Sequence, residues 1–176
     1  MPKNGVLPFS PYALPGILLS ASLLLSGGCA PHGVRVTLAG ALPAAKTFFG
    51  GEVRHGGNVF PVQGGAELGP QGGVMAFMLP HGQVLGECRS TVEAGRGGVA
   101  QTGAVYRVQC RPRPGTEAAA RLLEPAARAV LRLAPVLPGG RLNAEGVTAE
   151  CRGGECVYED RAEGVGMTMR FSGSER

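Results

Sequence analysis

Apolar and polar residues alternate with a period of two along much of this chain, the pattern of strands with one buried face. Val34, Val36 and Leu38 alternate with Arg35 and Thr37, and Tyr106, Val108 and Cys110 alternate with Arg107 and Gln109. The clearest case is Val165, Met167, Met169 and Phe171 against Gly166, Thr168 and Arg170. Val74–Leu79 is apolar at every position and reads as a central strand covered on both faces. Further strands are expected near 48–54, 58–63, 83–90, 147–151 and 156–160.

One segment changes period. Ala119, Leu122, Leu123, Ala126, Val130 and Leu133 recur at helical spacing, so a helix is predicted over about 117–134. Thr116 is placed to cap its start, and Glu117 suits the positive end of the dipole. Glu117–Arg121 and Glu124–Arg128 are favourable pairs four apart. Pro125 lacks an amide donor, which predicts a kink or two short helices. Pro135 and Pro138-Gly139-Gly140 end the element. The expected fold class is α+β: a β-rich antiparallel sheet of five or six strands, one helix packed on one face, then a C-terminal hairpin. The mature domain is expected to cover 34–172, with a frayed tail at 173–176.

Gly (30) and Pro (14) make up a quarter of the 176 residues, so turns must be frequent. Gly-Gly pairs at 50–51, 56–57, 64–65 and 72–73 come at strand-and-turn intervals and are expected to be turns.

The first 28 residues stand apart. Their only charge is Lys3, and the apolar run Ile17–Leu25 is too short for a membrane crossing of about twenty residues. Pro8, Pro11 and Pro15 prevent its extension toward the N-terminus. A weakly positive start, an apolar middle and small residues at the end make the layout of a secretory signal. Leu25-Ser26-Gly27-Gly28-Cys29 then resembles the lipobox of bacterial lipoproteins, with Ser26 where that motif usually carries Leu. The resemblance covers residues 1–29 only. It implies a signal peptide of 1–28, acylation (palmitate or a similar chain) at Cys29, a short tether over 29–33, and a membrane-anchored lipoprotein facing the periplasm or the cell exterior. Ala30 follows the cysteine, so the inner-membrane retention residue Asp is missing. Secretion without lipid, or an uncleaved anchor, are the rival readings of the same segment.

Four cysteines remain, and an even number in an exported chain reads as two disulfides. Cys151-Arg152-Gly153-Gly154-Glu155-Cys156 fits a hairpin that sets its two cysteines opposite each other, leaving Cys88 and Cys110 for the second bridge. A four-cysteine zinc site fits poorly, because Cys88 and Cys110 are far from zinc-ligand spacing.

Charge and candidate chemistry add little. The net charge is +4 with 15 Arg to 2 Lys, but the arginines are scattered and not interleaved with aromatics. A nucleic-acid partner is therefore not expected, whereas an envelope protein or an anionic surface is. His32, His55 and His81 are the only histidines, none in a metal-binding or triad arrangement. Asp160 is the only aspartate. Glu155, Glu159, Asp160 and Glu163 form an acidic cluster with Arg152 and Arg161 among them, which reads as a self-paired solvated edge. Met75, Met78, Met167 and Met169 fit core packing better than a soft-metal site. No catalytic, cofactor-binding or metal residue is assigned. The expected function is a non-enzymatic binding or assembly role in the cell envelope. The alternatives are a periplasmic carrier of small apolar ligands, with a cavity lined by Phe77, Met169 and Phe171, and an exported hydrolase using His55 or His81 with a glutamate.

Overall fold

The computed structural model describes residues 33–93, 103–144 and 146–175. They belong to one compact unit, His32–Arg176. Six strands precede the helix: β1 (Val34–Leu38), β2 (Ala45–His55), β3 (Asn58–Gly69), β4 (Gly72–Met78), β5 (Val84–Val92) and β6 (Ala104–Pro112). Helix α1 (Glu117–Leu133) is followed by a short 3-10 turn, then β7 (Gly140–Ala144), β8 (Val147–Arg152), β9 (Glu155–Asp160) and β10 (Val165–Glu175). All ten strands join one antiparallel sheet in the order β1-β6-β5-β4-β3-β2-β10-β9-β8-β7. The architecture is a sheet-rich α+β fold.

The sheet must be strongly curved. Laid flat, ten strands at ~4.8 Å spacing would span about 43 Å, several times the roughly 10 Å diameter of a helix. Yet α1 packs against β1, β6 and β5 at one end of the order and also meets β2, β10 and β9. The helix is accordingly buried over far more than one stripe: Leu122, Leu123, Ala126, Ala127, Ala129, Val130, Leu131 and Leu133 all lie in the core. The small Ala127 and Ala129 allow strands to close on faces outside the predicted stripe.

Glycine makes this curvature sterically feasible. An ideal Cβ on Gly51 would lie 2.0 Å from the carbonyl oxygen of Thr168 on β10. One on Gly64 would lie 2.0 Å from the oxygen of Ala76 and 2.7 Å from the Phe49 ring. These strands approach where no side chain fits. Here the sequence expectation is corrected: the pairs 50–51, 64–65 and 72–73 lie inside strands or at a strand start. Gly56-Gly57 does turn the β2–β3 hairpin, with φ of 57° and 79°.

Other expectations also change. Val74–Leu79 is central but one-sided, with Met75 and Phe77 buried and Val74 exposed. Pro125 sits inside a single helix, because burial of Leu122, Leu123, Ala126 and Ala127 on both sides outweighs one missing donor. The Thr116 hydroxyl makes no helix cap. It lies 2.9 Å from the oxygen of Leu85 and 2.6 Å from that of Arg113, tying the helix start to β5. β10 runs to Glu175 in place of a frayed tail from 173, held by pairing of Glu175 with Lys46 across a bulge. β7, absent from the sequence reading, forms one edge of the sheet.

Both disulfides join directly paired residues of neighbouring strands: Cys88 with Cys110 between β5 and β6, and Cys151 with Cys156 between β8 and β9. The hairpin loop between the latter is two residues, Gly153-Gly154, with φ of 57° and 83°. Disulfides of this kind belong to an oxidising compartment outside the reducing cytosol. Among the described residues no helix is long and apolar enough to cross a membrane.

Two predictions follow from the packing. Gly51→Ala, whose Cβ meets backbone, should cost about 1–3 kcal/mol or more. Gly50→Ala, with nothing nearer than 3.9 Å, should unfold within about 0.5 kcal/mol of wild type in urea. Replacing Cys88 and Cys110 by Ala should cost about 3 kcal/mol, and the same change at Cys151 and Cys156 about 2, in the order of loop length. Equal midpoint shifts for the two pairs would contradict that order.

Candidate functional site

The two free edges of the sheet, β1 and β7, do not pair. Between them lies a cleft of ≈ 400 Å³, a size typical of small-ligand sites. One wall is the end of β1 and the start of its connection to β2, Thr37–Ala41. The other is Leu142 and Ala144 of β7 with Val147 of β8. The end of α1 and the turn after β9 form the base, with Arg132, Val136 and Asp160.

The first wall is fixed by Tyr106. Its buried hydroxyl accepts the Leu42 N–H at 2.9 Å and donates to the Pro70 oxygen at 3.0 Å, joining the β1–β2 connection to the β3–β4 turn. Leu42 itself is buried just past the wall.

The base is a polar network on two turns of α1. Arg132 Nη1 donates to Tyr158 Oη and to Asp160 Oδ2, both at 2.8 Å. Asp160 Oδ1 accepts the N–H groups of Ala162 at 3.1 Å and Glu163 at 3.2 Å. One turn earlier, Arg128 bonds Glu163 and lies 3.7 Å from Glu124. The Glu124–Arg128 pair therefore forms as expected, while the side chain of Glu117 lies outside the described residues. The network clamps the helix to the β9–β10 turn, with two guanidinium groups set among three carboxylates. Its lower members are largely shielded: the Asp160 side chain is 6% exposed and that of Arg132 23%. Burial pushes the Tyr158 hydroxyl above its ordinary range, against the opposing pull of Arg132. For Arg132, burial acts to lower its value, but the bonds to Tyr158 and Asp160 together hold the guanidinium above its usual range.

Asp160 is thus no member of a solvated acidic edge. Alternation along β9 turns it inward, while Glu155 and Glu159 face out. Glu155 pairs with Arg170, Glu163 with Arg128 and Asp160 with Arg132, so three of the four acids of the predicted cluster go to different arginines. Among the described residues no group of three His, Cys, Asp or Glu could hold a metal ion. A broader groove of ≈ 840 Å³ lies over the outer face of β7–β10. It is open, and Glu150 on its floor lies 3.1 Å from Arg141 and 2.5 Å from Arg152.

The remaining sequence candidates lie apart from the cleft. His81 is exposed in the β4–β5 turn, 3.2 Å from Gln83, and His55 ends β2. Asp160, the aspartate a triad would need, is engaged by Arg132 instead of a histidine. Phe77 and Met169 are core residues, and Phe49 packs against Phe77 and Phe171 with ring centroids 5.3 and 5.9 Å away. None of Phe77, Met169 and Phe171 lines the cleft. Met75 and Met167 are core residues as well. Cys29 and His32 lie outside the described residues. Arg132 and the β1–β2 connection were not identified from sequence. The spacing of Arg128 and Arg132, four apart on a helix that precedes the sole aspartate, was the one available signal.

No protein-family model, curated protein or solved structure matches this chain.

Removing one partner of the shielded pair should be costly. Asp160→Asn is expected to lower stability by about 3–5 kcal/mol in urea unfolding. Tyr158 supplies a pH test. A hydroxyl whose folded pKa is raised favours the fold at pH below its unfolded value, and that contribution fades as pH climbs through the folded value. Stability should therefore fall above about pH 10, and Tyr158→Phe should flatten that alkaline decline. An unchanged slope in the phenylalanine variant would remove Tyr158 as the cause.

Proposed function

We propose that this protein is an exported cell-envelope lipoprotein, cleaved before Cys29 and acylated there, whose domain binds a partner instead of catalysing a reaction. The leader and the lipobox-like residues support the anchor, and two cross-strand disulfides support an oxidising location. In this reading α1 packs on one face of the sheet, and the C-terminal hairpin carries the far wall of the cleft.

The observation that carries the binding role is the cleft itself. Its apolar walls include Leu38, Val136, Leu142 and Val147, and its only strong charges are already paired. Such a lining favours an apolar, uncharged group over an ion. An apolar segment of an envelope partner meets that description. The cleft's volume also favours the second reading, a carrier of small apolar molecules.

The anchor is tested by the intact mass of protein extracted from membranes. A chain beginning at Cys29 with added acyl mass is expected, and the same chain without that mass would remove the tether. The cleft is tested with the neutral apolar dye N-phenylnaphthylamine. Wild type should enhance its fluorescence, and Leu142→Asp should weaken binding about tenfold. Identical binding by wild type and variant would place the apolar site elsewhere.

A further inference from the structure

The anchor reading has a geometric consequence. Only four peptide steps separate Cys29 from Gly33, which adjoins the first residue of β1. Fully extended, four residues reach at most about 14 Å. Acyl chains on Cys29 would therefore hold the N-terminal end of β1 within about 14 Å of the lipid surface, whatever path the tether takes.

β6 lies beside that end. It is antiparallel to β1, with Val34 opposite Val108, so it continues past the start of β1 through Gln109, Cys110, Arg111 and Pro112. A side chain on Gly33 would meet those of Arg107 and Gln109, which places Gly33 directly alongside β6. Arg111 stands three residues beyond Val108, about 10 Å farther along the strand. Arg113 follows it. Both are exposed, and among the described residues neither pairs with a carboxylate. Glu87, opposite Arg111 in register, has its carboxylate on Arg89 at 2.8 Å.

This arginine segment is held in place. Pro112 and Pro114 restrict its backbone, the Arg113 N–H donates to the Leu85 oxygen at 2.8 Å, and the Thr116 N–H returns to the Arg113 oxygen at 3.1 Å. Near the start of β1, by contrast, Glu93 takes both Arg35 and Arg107, at 2.9 and 2.7 Å.

We propose that Arg111 and Arg113 form a second membrane contact, which seats the tethered domain on anionic lipid headgroups beside its anchor. The proposal rests on Cys29 being the anchor. Headgroup phosphates within about one Debye length, 8–10 Å, would feel both guanidinium groups. Each basic residue at an anionic surface contributes about fivefold in partitioning. Two such residues supplement an acyl chain in the manner of a two-signal membrane anchor. The contact also fixes which end of the sheet faces the bilayer.

The test uses the chain beginning at Cys29, the one cysteine outside the two disulfides. Its thiol is alkylated with a single tetradecyl chain, which alone gives only marginal, reversible membrane binding. Partition is measured by sedimentation with phosphatidylcholine vesicles, with and without phosphatidylglycerol. The expected result is about thirtyfold tighter binding to the anionic vesicles, falling with added salt. Arg111→Ala/Arg113→Ala should lose most of that preference yet bind neutral vesicles as wild type does. Arg113→Gln alone should lose about fivefold, which keeps the proposal testable if the double variant misfolds. Equal partition of wild type into both vesicles, or an undiminished preference in the arginine variants, would overturn it. Because the chain is attached chemically, failure of natural acylation at Cys29 is read separately, from the mass of the extracted protein.

Discussion

One helix has to provide a core for a ten-stranded sheet, and the rest of the structure depends on how that is done. A flat sheet would leave most of its inner face wet. Curving the sheet until strands from both halves touch α1 solves the problem and explains why the helix is apolar on nearly every side beyond Leu122. Curvature in turn demands close approach between strands, which is met by glycines with no room for a Cβ, such as Gly51 and Gly64. The abundance of glycine is in this sense a property of the sheet as much as of its turns.

The curvature is then pinned. Each disulfide ties a pair of neighbouring strands on the inner face, one in each half of the sheet. Arg128 and Arg132 tie the helix to the β9–β10 turn, and Thr116 ties its start to β5. The helix is therefore fastened to both halves of the wrapping sheet, at opposite ends of its length. A buried ion pair is weak evidence for net stability, since desolvation offsets much of its attraction. Its clearer effect is to fix one arrangement of helix and turn.

The cleft is a by-product of the same geometry. A sheet that curls without closing leaves two edges facing one another, and the helix end and its ion pairs form the base between them. Such an arrangement offers apolar walls, accessible edge backbone and little net charge. The cleft lies at the C-terminal end of β1, on the side away from Gly33.

Strand positions were largely legible because alternation is a local property: burying one face requires apolar side chains at every second residue. Val34–Leu38 and Val165–Phe171 show it in full. The helix was legible for the same reason at a different period, and the cysteine pairing followed from the Gly-Gly hairpin between Cys151 and Cys156. β7 was not, since Gly140-Arg141-Leu142-Asn143-Ala144 is short and has no β-branched residue. Its strand state comes from pairing with β8. The sequence by itself determined where the chain extends, coils and cross-links. Tertiary structure alone decided that Asp160 meets Arg132, that mid-strand glycines accommodate neighbouring backbone, and that β1 and β7 face each other across a cleft. Each of these depends on contacts between residues far apart in the chain, and local periodicity carries no record of them.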